Sequence, residues 1–93
     1  MNDAVPTRLI ENDRVRVTEW KFPPDSHTGW HRHEMDYVVV PVTNGQLRLK
    51  ETDGERDIEL VLGQPYFREE VVEHDVINQS KTDTVIFVEV ETK

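Results

Sequence analysis

Several kinds of residue are scarce or missing in this chain of 93 residues, and each absence excludes a class of protein. There is no cysteine, which excludes disulfide cross-links, thiol catalysis and zinc sites built from thiolates. Apolar residues make up only 35% of the chain, and no apolar run approaches the roughly 20 residues that span a bilayer. Basic residues number 11 against 19 acidic ones, and the resulting net charge of −8 disfavours binding to nucleic acid or to anionic lipid.

The length and the N-terminal residues bear on domain organisation and location. A chain of 93 residues suits one small domain, so we expect a single domain over residues 1–93. The segment MNDAVPTRLI lacks the basic and apolar regions of a signal peptide, which predicts a cytoplasmic protein. So small a domain with so few apolar residues is marginal alone, and we expect a homodimer. Residues 1–13 are the least patterned and are expected to form an arm, either mobile or exchanged with the partner subunit.

Helical periodicity is almost absent, and short apolar clusters bounded by turn residues take its place. These clusters predict about eight strands, over residues 14–22, 30–35, 37–42, 46–50, 58–62, 66–67, 71–78 and 84–91. Asn44-Gly45 predicts a tight hairpin, and Asp53-Gly54 predicts a second turn. The pattern indicates an all-β fold, a small antiparallel β-barrel or jelly roll, because closing the sheet limits exposed strand edges.

Two histidines stand two residues apart within a predicted strand. His31 and His33 point to the same face of such a strand, so both imidazoles can aim at one point. His74 lies on another predicted strand, with Asn78 four residues later on the same face. Imidazole suits Zn, Fe, Ni and Cu, so the pattern indicates a metal site. Two polar residues that merely share a solvated face would show the same spacing.

These histidines and their flanking glycines resemble the two motifs of the cupin superfamily, G-x5-H-x-H-x3/4-E-x6-G and G-x5-P-x-G-x2-H-x3-N. The matching residues are His31, His33, Gly45, Gly63, His74 and Asn78. The stretch HRHEMDYVVVP is similar to small single-domain bacterial cupins associated with β-alanine degradation. The resemblance implies the cupin double-stranded β-helix. It also implies a divalent transition metal (Fe, Ni, Zn, Mn or Cu) held by His31, His33 and His74.

The chain departs from motif one at the position that supplies a glutamate ligand. The two permitted spacings place Tyr37 or Val38 there, and Glu34 and Asp36 have the opposite parity on a regular strand. We therefore expect water or ligand oxygens at the open metal positions, with Tyr37 close by as a hydrogen-bond donor. In motif two, Glu69-Glu70-Val71 replaces the Pro-x-Gly segment.

Three neutral ligands leave positions on a metal open, as a catalytic site requires. The resemblance implies a metal-dependent dioxygenase, isomerase or decarboxylase that acts on a small carboxylate-bearing metabolite, a small organic acid. The candidate residues of the substrate pocket are Tyr37, Arg32, Phe67 and Asn78. The alternative is a non-catalytic cupin that binds a metal or a small ligand as a sensor or accessory protein. The missing motif glutamate favours this alternative.

Three further expectations concern the remaining polar and apolar residues. His27 follows two prolines in a polar loop and is expected to be solvated. Glu73 and Asp75 flank His74 and are expected on the solvated face of their strand. The last predicted strand, residues 84–91, is apolar on both faces.

Overall fold

The computed structural model describes residues 1–69 and 72–93. Within these two ranges it contains no helix, and therefore none that is long and apolar enough to cross a membrane. Glu70 and Val71, at the departure from motif two and at the start of a predicted strand, lie outside the described residues. The eleven strands are β1 (Asn2–Asp3), β2 (Val5–Glu11), β3 (Val15–Phe22), β4 (Ser26–His27), β5 (His31–His33), β6 (Tyr37–Pro41), β7 (Gly45–Glu51), β8 (Gly54–Leu60), β9 (Tyr66–Arg68), β10 (Val72–Asn78) and β11 (Val85–Thr92).

The strands form two sheets. The first sheet has the order β1-β4-β10-β7-β8, with β5 also paired to β10, and the second has the order β2-β3-β11-β6-β9. Among the described strands, every pair is antiparallel except β1 with β4. This architecture confirms the predicted all-β class and the small antiparallel barrel of jelly-roll type.

The core is built from the inward faces of both sheets. On β7, for example, Leu47 and Leu49 are buried while Gln46 and Lys50 on either side of them are exposed, the period-two pattern of a half-buried strand. The buried apolar cluster comprises Ala4, Phe22, Tyr37, Val39, Leu47, Leu49, Leu60, Val76, Val85 and Phe87. The alternation read from the sequence is therefore the alternation between core and solvent.

The last strand, β11, does not fit the expectation of a strand that is apolar on both faces. Its inward face carries Val85 and Phe87, which join the core, and then Glu89 and Glu91. Both carboxylate residues are buried, at 6% and 8% exposure. The strand thus changes from an apolar to an acidic inward face along its length, and this change brings negative charge into the barrel.

The two predicted turns have different outcomes. Asp53-Gly54 joins β7 to β8, which pair with each other, so this turn is confirmed. The hairpin predicted at Asn44-Gly45 was wrong, because the strands it joins, β6 and β7, belong to different sheets. A Cβ on Gly45 would lie 2.7 Å from Cγ2 of Val85. Gly45 therefore permits the close approach of the two sheets.

The N-terminal segment is paired within its own chain. β2 runs antiparallel to β3, with a register shift between Arg8 and Ile10, and β1 pairs with β4 in parallel. Every residue of β2 is exposed. The exchange of residues 1–13 with a partner subunit, and the single domain over residues 1–93, stay predictions.

Candidate metal centre

Strand β10 organises the site because it is paired along both edges. β7 pairs along one edge, while β5 and β4 follow one another along the other. The register places His74 directly opposite His31 on β5. His33 lies two residues along β5 and shares the inward face of that strand. The pairing of β5 with β10 therefore brings together the three histidines that the sequence indicates.

The three imidazole rings converge through their Nε2 atoms. The Nε2 of His31 lies 3.0 Å from that of His33 and 3.1 Å from that of His74. The Nε2 atoms of His33 and His74 are 3.2 Å apart. His33 and His74 are buried and His31 is partly buried. We refer to these three residues as the triad.

The opposite ring nitrogens, Nδ1, have different surroundings in the three histidines. The Nδ1–H of His31 donates to the carbonyl oxygen of Gly29 at 2.9 Å, and since a carbonyl can only accept, the proton resides on Nδ1. The Nδ1 of His33 lies 3.5 Å from a carboxylate oxygen of Glu91. The Nδ1 of His74 is buried without a hydrogen-bond partner among the described residues. In His31, the Nε2 lone pair is therefore free to point at the other two rings.

The triad fits a metal ion on geometric grounds. At a metal–nitrogen distance of about 2.1 Å, ligand nitrogens at right angles lie about 3.0 Å apart and tetrahedral ligands about 3.4 Å apart. The observed separations of 3.0 to 3.2 Å fall in this interval. Three converging imidazoles are also a donor set that suits a transition metal rather than Mg²⁺ or Ca²⁺.

Two carboxylates next to the triad escaped the sequence reasoning. Glu89 places a carboxylate oxygen 3.9 Å from Nε2 of His33, and Glu91 approaches Nδ1 of the same ring. His33, Glu89 and Glu91 form a second group whose ligand atoms lie close enough together to hold a metal ion. The alternation of the last predicted strand indicates that both glutamates point inward, because alternate residues share one face of a strand. The residues on this face are Val85, Phe87, Glu89 and Glu91.

Burial and mutual repulsion disfavour protonation of His31 and His74 in the metal-free protein. Burial, together with the nearby His31 and His33 rings, lowers the pKa of His74 to about 3. Burial likewise lowers the pKa of His31, although its hydrogen bond to Gly29 opposes the change. Burial raises the pKa of Glu89 to about 7, with the neighbouring His33 acting in the opposite direction. Neutral imidazoles are the form that binds a metal.

Tyr37 lies against the triad, on the inward face of β6. Its ring stacks on that of His33, with centroids 4.1 Å apart and an interplanar angle of 24°. The residue is buried, and burial raises the pKa of its phenol, so the hydroxyl keeps its proton at neutral pH. A protonated phenol is a poor metal ligand, which makes Tyr37 a wall of the site rather than one of its donors.

Two cavities adjoin the triad. The interior cavity, of about 20 Å³, is lined by His31, His74, Tyr37, Glu89 and apolar core residues. It has room for about one water molecule. The second, which we call the mouth, has about 280 Å³. The mouth is lined by Pro6, Arg8, Thr18, Trp20, Thr28, His31, Arg32, His33, Glu89 and Glu91. A ligand larger than water therefore has space at the mouth and not in the interior.

The four candidate pocket residues lie in different parts of the barrel. Tyr37 lines the interior cavity and Arg32 lines the mouth. Phe67 is 56% exposed on β9 and lines neither of them. Asn78 is fully buried, and its amide donates to the carbonyl oxygens of residues 22, 23 and 83 at 2.8 to 3.2 Å. Asn78 therefore ties loops together, and it adjoins a cleft that contains none of the triad.

His27 and Asp75 are less solvated than the sequence suggested. His27 lies on β4, and its Nδ1 contacts both carboxylate oxygens of Asp75 at 3.0 and 3.2 Å. Asp75 is only 16% exposed at its side chain and also accepts the backbone N–H of Gly29 at 3.0 Å. The expectation of a solvated face was wrong for Asp75, because the loop before β5 folds over it.

Comparison with known proteins gives relatives at high identity. No protein-family model matches the sequence. The chain is 54% identical over 90 residues to the β-alanine degradation protein BauB of Pseudomonas aeruginosa, covering 97% of this chain and 94% of that protein. A crystal structure of a cupin domain from Bordetella pertussis Tohama I is also 54% identical, with a TM-score of 0.95 over 99% of this chain and 95% of that chain.

More distant structures share the fold alone. A protein with a double-stranded β-helix domain from Klebsiella pneumoniae has a TM-score of 0.78 at 18% identity, covering 97% of this chain and 76% of that chain. The polyketide cyclase RemF from Streptomyces resistomycificus has a TM-score of 0.77 at 22% identity, covering 97% of this chain and 65% of that chain. These likenesses agree with the jelly-roll architecture described above.

The shifted pKa values of His74 and Glu89 make the free energy of unfolding change with pH in opposite directions. The unfolded chain protonates His74 near pH 6.5 and the native chain only near pH 3, so this histidine lowers the free energy of unfolding as the pH falls from 6.5 to 3. The native chain protonates Glu89 near pH 7 and the unfolded chain only near pH 4.5. Glu89 therefore raises the free energy of unfolding as the pH falls from 7 to 4.5.

We predict that Glu89→Gln removes the stabilisation that protonation of Glu89 gives the metal-free protein as the pH falls below 7. Between pH 7 and pH 4.5, the variant should lose about 3 kcal/mol more unfolding free energy than the wild type. Urea denaturation at the two pH values, with a chelator present, measures the difference. Glu59→Gln, at an exposed position on β8, is the matched control and should follow the wild type. If the free energy of unfolding changes by the same amount between the two pH values in Glu89→Gln and wild type, the prediction is contradicted.

Proposed function

We propose that this chain, which belongs to the cupin superfamily, binds a divalent transition metal in its barrel and acts on a small carboxylate-bearing metabolite. The observation that carries the proposal is the convergence of three Nε2 atoms within 3.0 to 3.2 Å of one another. In this proposal His31, His33 and His74 are the metal ligands, and Fe, Ni, Zn, Mn and Cu are the candidate ions.

Glu89 is the best-placed residue to supply a fourth donor. Motif one lacks its glutamate in this chain, and Tyr37 at that position is buried with a protonated phenol. Glu89 comes from β11 instead, with an oxygen 3.9 Å from Nε2 of His33, and it also lines the interior cavity. A bound 2+ ion would favour its ionised form and so overcome the cost of burying the carboxylate.

The mouth supports an anionic ligand. Arg8 and Arg32 both line it, beside His31 and His33. Arg8 is held by Thr18, whose Oγ1 accepts from Nε at 3.1 Å, and by an ion pair with Glu11. In a chain with a net charge of −8, Arg8 and Arg32 place two cationic side chains in the mouth, whose lining also contains Glu89 and Glu91. Arginine also matches the geometry of a carboxylate.

The name of the Pseudomonas relative concerns β-alanine degradation, and we extend this to the present chain as a proposal about its ligand. A small aliphatic carboxylate related to β-alanine fits the mouth by size and charge. A bound divalent ion supplies Lewis-acid chemistry to such a ligand. The chain's own contribution is to orient the carboxylate through Arg8 and Arg32.

We also propose that the protein is a homodimer in the cytoplasm. β2 is the terminal strand of its sheet, and in the described residues no strand pairs with its outer edge. Val5, Leu9 and Ile10 on this strand are about half exposed. A second copy of the chain would cover these side chains and the free edge together. The cytoplasmic location rests on the sequence alone.

The metal ligands are tested by substitution in protein purified without a histidine tag. His74→Ala should greatly reduce metal retention after dialysis, because it removes one of the three converging imidazoles. Glu89→Gln should weaken metal affinity by about tenfold or more, and Tyr37→Phe should leave it largely intact. Metal content by mass spectrometry and competition with a chelator provide the measurement.

The control for the metal experiment is His27→Gln, which removes the one histidine outside the triad. This variant should retain metal as the wild type does. If Tyr37→Phe removes the metal as completely as His74→Ala, Tyr37 is a ligand and the assignment is wrong. If the wild type binds no transition metal at all, the proposed function fails.

The role of Arg8 is tested with malonate, acetate and β-alanine as ligands of the metal-loaded protein. Arg8→Gln should raise the Kd for malonate about tenfold, since it removes a charge-assisted hydrogen bond. Arg48→Gln, which removes an arginine of another ion pair far from the mouth, should leave the Kd unchanged. Equal affinities in Arg8→Gln and wild type would contradict the proposal. Tight binding without consumption of any ligand would favour the non-catalytic alternative.

The dimer is tested by sedimentation equilibrium at micromolar concentration. The wild type should have the mass of two chains. Leu9→Glu places a charge on the exposed face of β2 and should shift the equilibrium toward the monomer. Leu62→Glu alters an equally exposed leucine outside β2 and should have no effect. A monomeric wild type would overturn this proposal.

A further inference from the structure

We propose that Asp75 is a positioning residue for His31, acting through the backbone of Gly29. Asp75 lies next to His74 on β10 but contacts the loop that precedes β5 rather than the triad itself. Its effect on the metal site rests on the proposed function above. Its effect on the orientation of the His31 ring does not, because that ring makes its contacts in the metal-free protein.

The contacts form a continuous chain from Asp75 to His31. One carboxylate oxygen of Asp75 accepts the backbone N–H of Gly29 at 3.0 Å. The carbonyl oxygen of Gly29 in turn accepts the Nδ1–H of His31 at 2.9 Å. The other nitrogen of the same His31 ring, Nε2, lies 3.0 Å from Nε2 of His33. Holding Gly29 therefore holds the direction of the inward lone pair.

The backbone at Gly29 needs such support. Its φ is +85°, in the left-handed region, and a Cβ at this position would meet no atom within 4 Å. Glycine adopts many other conformations as readily, so its own steric preferences do not select this one. The conformation is therefore selected by hydrogen bonds, of which the bond to Asp75 restrains the N–H directly.

Thr28 completes the support from the other side of the carbonyl. Its hydroxyl donates to the Gly29 carbonyl oxygen at 2.9 Å and accepts the backbone N–H of Val76 at 3.2 Å. Both Asp75 and Val76 belong to β10, the strand that carries His74. The loop before β5 is thus fastened to the strand opposite it by two adjacent residues, and His31 is placed relative to His74.

His31 is the triad member for which this placement matters most. It is the least buried of the three rings and lies at the start of a strand of only three residues. A neutral imidazole carries its proton on either nitrogen, and only the Nδ1–H form offers Nε2 to a metal. Asp75 stabilises this form by keeping a carbonyl acceptor opposite Nδ1.

The experiment compares Asp75→Ala and Asp75→Asn, with Asp57→Asn as the matched control. Asp57 is also a strand aspartate whose carboxylate contacts a side-chain nitrogen, but its partner is Arg48 and it lines a cleft that contains none of the triad. Two-bond proton–nitrogen NMR spectra of the metal-free proteins report which His31 nitrogen carries the proton. Competition with a chelator for Zn²⁺ reports metal affinity, and thermal unfolding reports whether each variant is folded.

Asp75→Ala should convert His31 from the Nδ1–H form to a mixture of both forms and weaken Zn²⁺ binding about tenfold. Asp75→Asn keeps a carbonyl acceptor for the Gly29 N–H and should restore the Nδ1–H form, with Zn²⁺ affinity within about threefold of wild type. Asp57→Asn should match the wild type in both measurements. A folded Asp75→Ala protein with wild-type tautomer and affinity would overturn the proposal.

A second variant covers the case in which Asp75→Ala does not fold. Gly29→Ala strains the left-handed backbone and displaces the same carbonyl, although the new methyl group meets open space. It should produce the same mixture of His31 forms, and an unchanged His31 spectrum would overturn the proposal. If the wild type binds no Zn²⁺, the proposed function fails, and the NMR spectra alone decide the role of Asp75.

Discussion

Three imidazole nitrogens that point at one another inside a barrel repel each other unless a cation lies between them. The triad has this arrangement, with Nε2 atoms 3.0 to 3.2 Å apart, and burial lowers the pKa of His31 and His74. The groups that surround the triad favour a cation at its centre. A carbonyl faces Nδ1 of His31, a carboxylate faces Nδ1 of His33, and Glu89 brings negative charge near Nε2 of His33. Each neighbour makes the centre of the triad more attractive to a positive ion.

Strand β10 brings the three histidines together because other strands pair with both of its edges. Because β5 and β7 pair with opposite edges of β10, the histidine strand is fixed in register with His74, and the opposite edge is closed. The second sheet contributes the acidic end of β11 and the stacked ring of Tyr37. The apolar residues fill the rest of the interior and leave space for about one water molecule beside the triad. Beside the triad, space for a ligand larger than water is therefore found at the mouth, where Arg8 and Arg32 lie.

The sequence predicted which site residues share a face of one strand, and it missed the contacts between side chains that come from different sheets. The parity of His31 and His33 placed both rings on one face, and Tyr37 also points inward although the strand is interrupted between them. The alternation of the last strand places Glu89 on the inward face, but its contact with His33 joins two sheets, and no local pattern reports that contact. The Asn44-Gly45 prediction failed similarly, since turn chemistry does not say which sheet the next strand joins.

The most direct measurement is the crystal structure of metal-loaded protein, with anomalous scattering recorded at the absorption edge of the metal. We expect one ion within about 2.1 Å of the Nε2 atoms of His31, His33 and His74, with a carboxylate oxygen of Glu89 as a further ligand. An ion held elsewhere, such as at His27 and Asp75, or one bound by fewer than all three triad residues, would contradict the central role of the triad.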